Sequence, residues 1–312
     1  MTSPLNFPPI VPKQVSDWMS FVRARLDWRY PSQSESSTKP IEDIQAEGVA
    51  GIWNRLGTHG IAWLADEVGM GKTFQAMGVF ALLWQVKSDA RILVIAPNQS
   101  VAENWKNEFV SFLRDHYKHK DGVVKGADDE PCHVPEVCPN LCAVVDAFAG
   151  NKRFVISKIS IFSQLADDGP DGEQSAKQKA ATARRNAESE QKRLRAAIGQ
   201  PLDLMVIDEA HYLRNVDGGS QRVDAARGFF GPPLGRIADR ILLMSATPNH
   251  TTNQDIASVL GYFIESPRLR AGTKSSNSAL SSSRFTRRPV RPTESHTCSM
   301  NLNILECRFP KN

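Results

Sequence analysis

One stretch limits the fold more than any other: IAWLADEVGMGKTFQAMGVFALLW, residues 61–84. An apolar run at 61–65 meets a glycine-bearing loop, Asp66 to Thr73, and the loop opens an apolar helix predicted over 74–86. Strand, loop and helix in that order are the setting in which a phosphate-binding loop works. Gly69 and Gly71 let the backbone turn tightly and aim N–H groups at phosphate oxygens, and the helix N-terminus adds its partial positive charge. Lys72 then reaches the β- and γ-phosphates, and the Thr73 hydroxyl ligates Mg2+. The generic pattern asks for glycine at position 66, where this chain carries Asp66.

Further short apolar runs stand at 92–96, 142–145, 154–156, 204–207 and 241–244. Each ends in a polar or glycine-rich turn, as central strands of a parallel sheet do when both faces are covered. Helical patterns at 74–86, 101–113 and 256–263 separate several of them, and another runs over 41–56. The alternation predicts an α/β domain, a mostly parallel sheet with helices on both faces. Residues 1–40 read as a short helix over 14–28 and a Ser/Pro-rich loop, 41–266 as the domain, and 267–312 as a disordered Ser/Arg/Pro-rich tail. Within the domain, about 171–199 is an insertion poor in large apolar residues. It reads as a solvated helix, with a nucleic-acid arm as the alternative.

Of 38 Lys/Arg against 34 Asp/Glu, nine and two respectively fall in 267–312, so the positive charge belongs to the tail and the body is slightly acidic. That excludes a uniformly basic nucleic-acid-binding body. No apolar run approaches the ~20 residues of a membrane span. No signal-peptide pattern opens the chain, and five cysteines fit a reducing compartment, so the expected location is cytoplasmic, nucleoid or nuclear.

Two more strand ends carry chemistry. LMVIDEAH, residues 204–211, ends an apolar run in adjacent carboxylates. Asp208 suits a Mg2+-holding role, and Glu209 suits orienting and deprotonating an attacking water. RILLMSATPNH, 240–250, ends another run in Ser245 and Thr247.

Phosphate loop, DEAH and SAT in this order resemble the first RecA-like lobe of a superfamily two helicase, and in detail the Swi/Snf-type DNA translocases. DEVGMGKT differs from that family's DE[VM]GLGKT only by Met70, and Asp66 is expected there. The resemblance implies a RecA-like P-loop fold over about 41–263 and ATP bound by Gln45, Glu67, Val68, Gly69, Met70, Gly71, Lys72 and Thr73. It implies Mg2+ on Thr73 and Asp208, and Glu209 with Lys72 in catalysis. IQAEGV, 44–49, is similar to the adenine-recognising glutamine motif, Gln45 being its glutamine; the bland alternative is an exposed helical amide. LVIAPNQSVAENWKNEF, 93–109, is similar to a motif that touches the nucleic-acid backbone, with Pro97 and Asn98 on its turn and Trp105 read as a packing residue. FVISKISIF, 154–162, offers Lys158 and Ser160 as weaker contacts. His211 is implied to contact the SAT motif, whose Ser245 and Thr247 couple nucleotide state to nucleic acid.

The parent reaction is nucleic-acid-dependent ATP hydrolysis, with double-stranded DNA as the expected track. Such a motor needs a second lobe, and the 64 residues after Pro248 are too few to supply one. The expectation is a truncated or frame-shifted chain whose second lobe comes from a partner protein. The alternative is a non-catalytic nucleotide- or DNA-binding fragment acting through another subunit. Cys132, His133, Cys138 and Cys142 invite a zinc site, although they lack paired CxxC spacing; structural or loop cysteines are the alternative.

Overall fold

The runs of apolar residues become strands because a parallel strand covered on both faces has no polar side to present. The structure is a computed structural model and describes residues 22–26, 41–65, 69–165, 175–213, 221–231, 236–245, 259–263 and 306–307. Its strands are β1 (Ile61–Leu64), β2 (Ile92–Ala96), β3 (Glu136–Val137), β4 (Phe154–Lys158), β5 (Leu202–Ile207), β6 (Ala238–Met244) and β7 (Glu306–Cys307). They form one sheet in the order β3-β4-β2-β5-β6-β1-β7, and every pairing among them is parallel. The rest of 267–312 lies outside the described residues, as do residues 1–21 and 27–40 of the N-terminal region.

Alternate residues of each strand feed two cores. Ala62, Leu64, Ile92, Val94, Ala96, Leu242 and Met244 pack on α1 (Ile41–His59), α2 (Lys72–Val86) and α3 (Gln99–His116). Ile61, Trp63, Leu93, Ile95, Ile241 and Leu243 pack on α4 (Leu141–Ala149), α5 (Ala176–Ile198) and α6 (Gln221–Phe230). The fold is therefore α/β with helices on both faces, as the alternation of patterns predicts.

The run at 142–145 is not a strand. It lies within α4, whose first turn is capped by Asn140: its side-chain oxygen accepts from Ala143 N at 2.9 Å. Leu141, Val144, Val145 and Phe148 are buried at helical spacing. A four-residue apolar window cannot separate a period of two from one of 3.6; the cap before it and Phe148 after it decide the matter. Helix α5 is not solvated all round either. Ala180, Ala183, Ala187 and Leu194 form a buried stripe against α4 and α6. Alanine adds little to an apolar count yet lets helices approach closely, so composition hid this face. Of the helix predicted at 256–263, only 259–263 is described, as a short helical turn with Val259 and Leu260 buried.

The loop after α3 is tied down by two charged groups. Lys125, 4% exposed, donates to Leu113 O at 3.0 Å and Tyr117 O at 2.8 Å, and pairs with Asp129 at 3.0 Å. Its ammonium thus satisfies carbonyls at the helix C-terminus, where positive charge is favoured. Asp121 accepts from Val123 N and Val124 N at 2.9 Å and from Tyr117 OH at 2.5 Å. Burial works to raise its pKa, but these hydrogen bonds overcome it and pull the value down to about 2. A carboxylate whose folded pKa lies below its ordinary 3.8 stabilises the fold above 3.8 and loses that contribution as pH falls toward 2. Urea unfolding across this window is expected to show the parent losing stability more steeply than Asp121→Asn. Parallel curves would remove Asp121 from the acid response.

Candidate nucleotide-binding site

All strands being parallel, the turns after β1, β2, β4, β5 and β6 emerge at one edge of the sheet, the edge at which open α/β sheets bind ligands. After β1 the chain turns through Gly69 (φ 87°) and Gly71 (φ 72°), both left-handed, and Gly71 caps α2. Among the described residues no side chain caps that N-terminus, and no acidic residue stands in its first turn, which Lys72 and Thr73 open half-buried. The loop is braced from behind: Met70 O accepts from Gln75 Nε2 at 3.1 Å and from Gln45 Nε2 at 3.5 Å. Gln45 is 2% exposed, so it is not a solvent-facing helical amide, and a Cβ on Gly71 would stand 2.2 Å from its Nε2. Glu67, Val68 and Thr247 lie outside the described residues.

Two strands away, β5 delivers Asp208. Its backbone N–H donates to Ile95 O at 2.9 Å, and its Oδ2 accepts from Trp105 Nε1 at 3.0 Å. Burial raises the Asp208 pKa and the adjacent Glu209 charge adds to this; the Trp105 hydrogen bond, the Glu209 N–H and the nearby Lys72 oppose it. Half-buried Glu108, one turn along α3 from Trp105, is likewise raised, by burial first and then by the Asp208 charge. Glu209 has φ 52°, a left-handed conformation that costs a residue with a Cβ on the order of 1–2 kcal/mol. Such backbone persists where the surroundings over-determine it, and it clusters at functional sites.

His211 bridges two strand ends. Its Nδ1 lies 2.9 Å from Glu209 Oε2, a charge contact rather than a hydrogen bond, and Ser245 Oγ lies 3.4 Å from the same nitrogen. Ser245, 3% exposed, follows β6, which lies between β5 and β1, and its N–H donates to Leu64 O at 3.1 Å. The phosphate loop, the carboxylate pair and the SAT serine are thus brought to one edge.

Pro97 and Asn98 follow β2 at the same edge. The Asn98 side-chain oxygen accepts from Val101 N at 2.9 Å and caps α3, so that atom serves the helix. Lys158 and Ser160, partly exposed, sit at the end of β4 and in the 3-10 turn that follows. Trp105, read from sequence as packing, does stack on Phe80 (ring centroids 6.1 Å), but its indole N–H also engages Asp208. The available signal was chemical: a buried indole needs an acceptor.

The cysteine cluster does not converge. His133 lies against Trp84 with ring centroids 4.6 Å apart and planes tilted by 34°, Cys142 sits on α4 beside Arg193, and burial pushes the Cys138 thiol up to about 12, opposite to a thiolate ligand. Among the described residues no group of three or more His, Cys, Asp or Glu is arranged to hold a metal.

The family profile described as ResIII, type III restriction enzyme, res subunit, matches residues 30–250. The chain belongs to the ResIII family. Alongside the ResIII match, it is 38% identical over 87 residues to the chromatin-remodeling ATPase INO80 of Neosartorya fischeri, covering 27% of this chain and 5% of that protein. It is 37% identical over 82 residues to the ATP-dependent helicase fft3 of Schizosaccharomyces pombe, covering 26% of this chain and 9% of fft3. The matched segment is thus a small part of those relatives. The Swi/Snf-like resemblance of the first lobe is present in these matches as in the motifs. Among solved structures, the SWI2/SNF2 ATPase core of Sulfolobus solfataricus in complex with dsDNA aligns with TM-score 0.44 and 17% identity, over 76% of this chain and 38% of that one. The Hef helicase domain of Pyrococcus furiosus aligns with TM-score 0.39 and 16% identity, over 71% and 35%. No described helix is long and apolar enough to cross a membrane.

Proposed function

We propose that this chain is the ATP-binding lobe of a nucleic-acid-dependent ATPase, a DNA translocase of the Swi/Snf-like helicase type. The observation that carries the reading is the N-terminus of α2, entered through two left-handed glycines and capped by no described side chain, with Lys72 close enough to influence the half-buried Asp208. Phosphate oxygens take the N–H groups of that first turn, Lys72 adds its charge at the β- and γ-phosphates, and Gln45 holds the loop backbone while serving the adenine end. Residues 69–73 form the cradle, together with Glu67 and Val68 from the sequence motif.

The donor set fits a hard cation. Thr73 and Asp208 offer oxygen ligands, and Mg2+ keeps several waters, so it needs few protein groups. A half-buried carboxylate beside a second carboxylate is also where a divalent charge is stabilising. Bound there, Mg2+ neutralises charge on the phosphates. Glu209 orients and deprotonates the attacking water, and His211 holds the Glu209 carboxylate through the 2.9 Å contact. His211 and Ser245 link that carboxylate to the turn after β6, the path by which nucleotide state reaches nucleic acid together with Thr247.

Pro97 and Asn98 face the DNA backbone at the same edge, with Lys158 and Ser160 beyond them. The nucleotide cleft closes with a second RecA-like lobe, supplied by another segment or by a partner protein. The test is ATP binding and steady-state turnover by this chain, with and without duplex DNA, at rising salt. The expected result is Mg2+-dependent ATP binding, slow turnover, and DNA binding that weakens steeply with salt through counterion release. A chain that binds no nucleotide sinks the reading. Binding without turnover under every DNA condition favours a module that acts through a partner.

A further inference from the structure

We propose that Trp105 is a positioning residue for the nucleotide's divalent cation: its indole N–H fixes the Asp208 carboxylate so that the remaining lone pairs face Mg2+. The proposal rests on the reading of Asp208 as the Mg2+ carboxylate.

The geometry is specific to tryptophan. Trp105 is 1% exposed, and its ring is held on α3 by stacking against Phe80, with planes 22° apart. The donor is therefore aimed before any ligand arrives. At the other end, the Asp208 main chain is fixed by its 2.9 Å bond to Ile95 O. What remains mobile is the carboxylate itself, and the 3.0 Å bond from Trp105 Nε1 to Oδ2 takes up that freedom. Phenylalanine would fill much of the same space without supplying a donor. Packing alone therefore does not account for an indole whose N–H meets this carboxylate. The bond is part-buried and made to a carboxylate acceptor, and hydrogen bonds to a charged group are the stronger ones. It also spans two elements, α3 and β5, so it couples the helix following Pro97 and Asn98 to the metal carboxylate.

Partners that orient a metal ligand typically contribute tenfold or more to metal affinity. The experiment titrates Mg2+ into the full chain with N-methylanthraniloyl-ADP, reading probe fluorescence, for the parent, Trp105→Phe, Phe80→Leu and Lys72→Ala. Trp105→Phe is expected to raise the half-saturating Mg2+ concentration by about tenfold while leaving probe affinity in EDTA unchanged. Phe80→Leu, which loosens the same packing but keeps the indole donor, lowers the melting temperature and displaces the Mg2+ curve less than Trp105→Phe does.

Mg2+-dependent binding that Lys72→Ala weakens about tenfold or more establishes the site whichever way Trp105→Phe falls. With that in hand, superimposable Mg2+ curves for parent and Trp105→Phe overturn the Trp105 role alone. A Phe80→Leu curve displaced as far as that of Trp105→Phe also overturns it. A parent that binds no probe overturns both readings. Should Trp105→Phe fail to fold, 15N-indole spectra of the parent and Asp208→Asn decide. One downfield indole signal should move upfield in Asp208→Asn and respond to Mg2+ with ADP in the parent. No indole signal sensitive to Asp208→Asn overturns the proposal.

Discussion

Glu209→Gln is expected to retain Mg2+-ATP and to slow hydrolysis by about 10²–10⁴, the usual contribution of a positioned general base. The amide keeps the size of the side chain and can still donate to or accept from His211 and water, but it cannot take the water's proton. Backbone geometry argues that the position is built for a purpose. Glu209 holds φ 52° in the turn after β5, and its carbonyl accepts from Tyr212 N at 3.0 Å to start the next turn. Gln has no more liking for that region than Glu, so the substitution neither relieves nor adds strain. The fold should therefore be unchanged, and the loss should appear in the chemical step alone. Single-turnover phosphate release, with nucleotide binding measured in parallel, separates the two. Equal release rates in parent and variant would remove Glu209 from the mechanism. Loss of binding would mean that the residue supports the loop rather than the water.

The parts of this lobe that sequence shows well are those governed by local pattern. Residues 92–96 are apolar throughout and form β2 over that same span. The loop at 69–73 announces itself because only glycine takes φ near 70–90° without strain. Where a polar residue interrupts the pattern, the reading falls short. Strand β5 begins at Leu202, two residues before its uninterrupted apolar run, because Asp203 is buried at 1% exposure. It is tolerated there because Lys87 pairs with it at 2.6 Å and Arg91 N donates at 2.7 Å. Those partners are more than a hundred residues away in the chain, and no window sees them. Ser157 likewise extends β4, its hydroxyl donating to Cys138 O at 2.8 Å.

The site divides in the same way. The residue types of the phosphate loop and of DEAH state their chemistry by themselves. That His211 meets Ser245 depends on β5 lying next to β6, an adjacency that strand patterns do not encode. The link from Trp105 to Asp208 needs α3 laid over the end of β5, and is equally invisible before folding. Tertiary adjacency, not residue chemistry, is what sequence withheld.

Lys72→Ala is expected to weaken ATP binding by about 10- to 100-fold. A hydrogen bond to a charged group contributes ~1.5–3 kcal/mol, and each 1.4 kcal/mol is about tenfold in affinity. The substitution is informative because its structural cost is small. Lys72 is the first residue of α2, half-buried, and alanine is the better helix former there. The loop that precedes it is held by other groups: Gln75 and Gln45 both donate to Met70 O, and Gly71 keeps its left-handed turn. The N–H groups of the first turn therefore stay in place and retain part of the phosphate affinity, so the loss is large but incomplete. Lys72 also opposes the burial that raises the Asp208 pKa, so its removal leaves that half-buried carboxylate with less positive charge nearby. Affinity for Mg2+-ATP should accordingly fall further than affinity for adenosine, which lacks phosphates and reports only the base-binding end. Equilibrium titration of both, with melting temperature as the control for folding, checks the prediction. Equal losses for ATP and adenosine would place Lys72 in the structure of the lobe. Unchanged ATP affinity would mean that the loop at 69–73 is not the phosphate site.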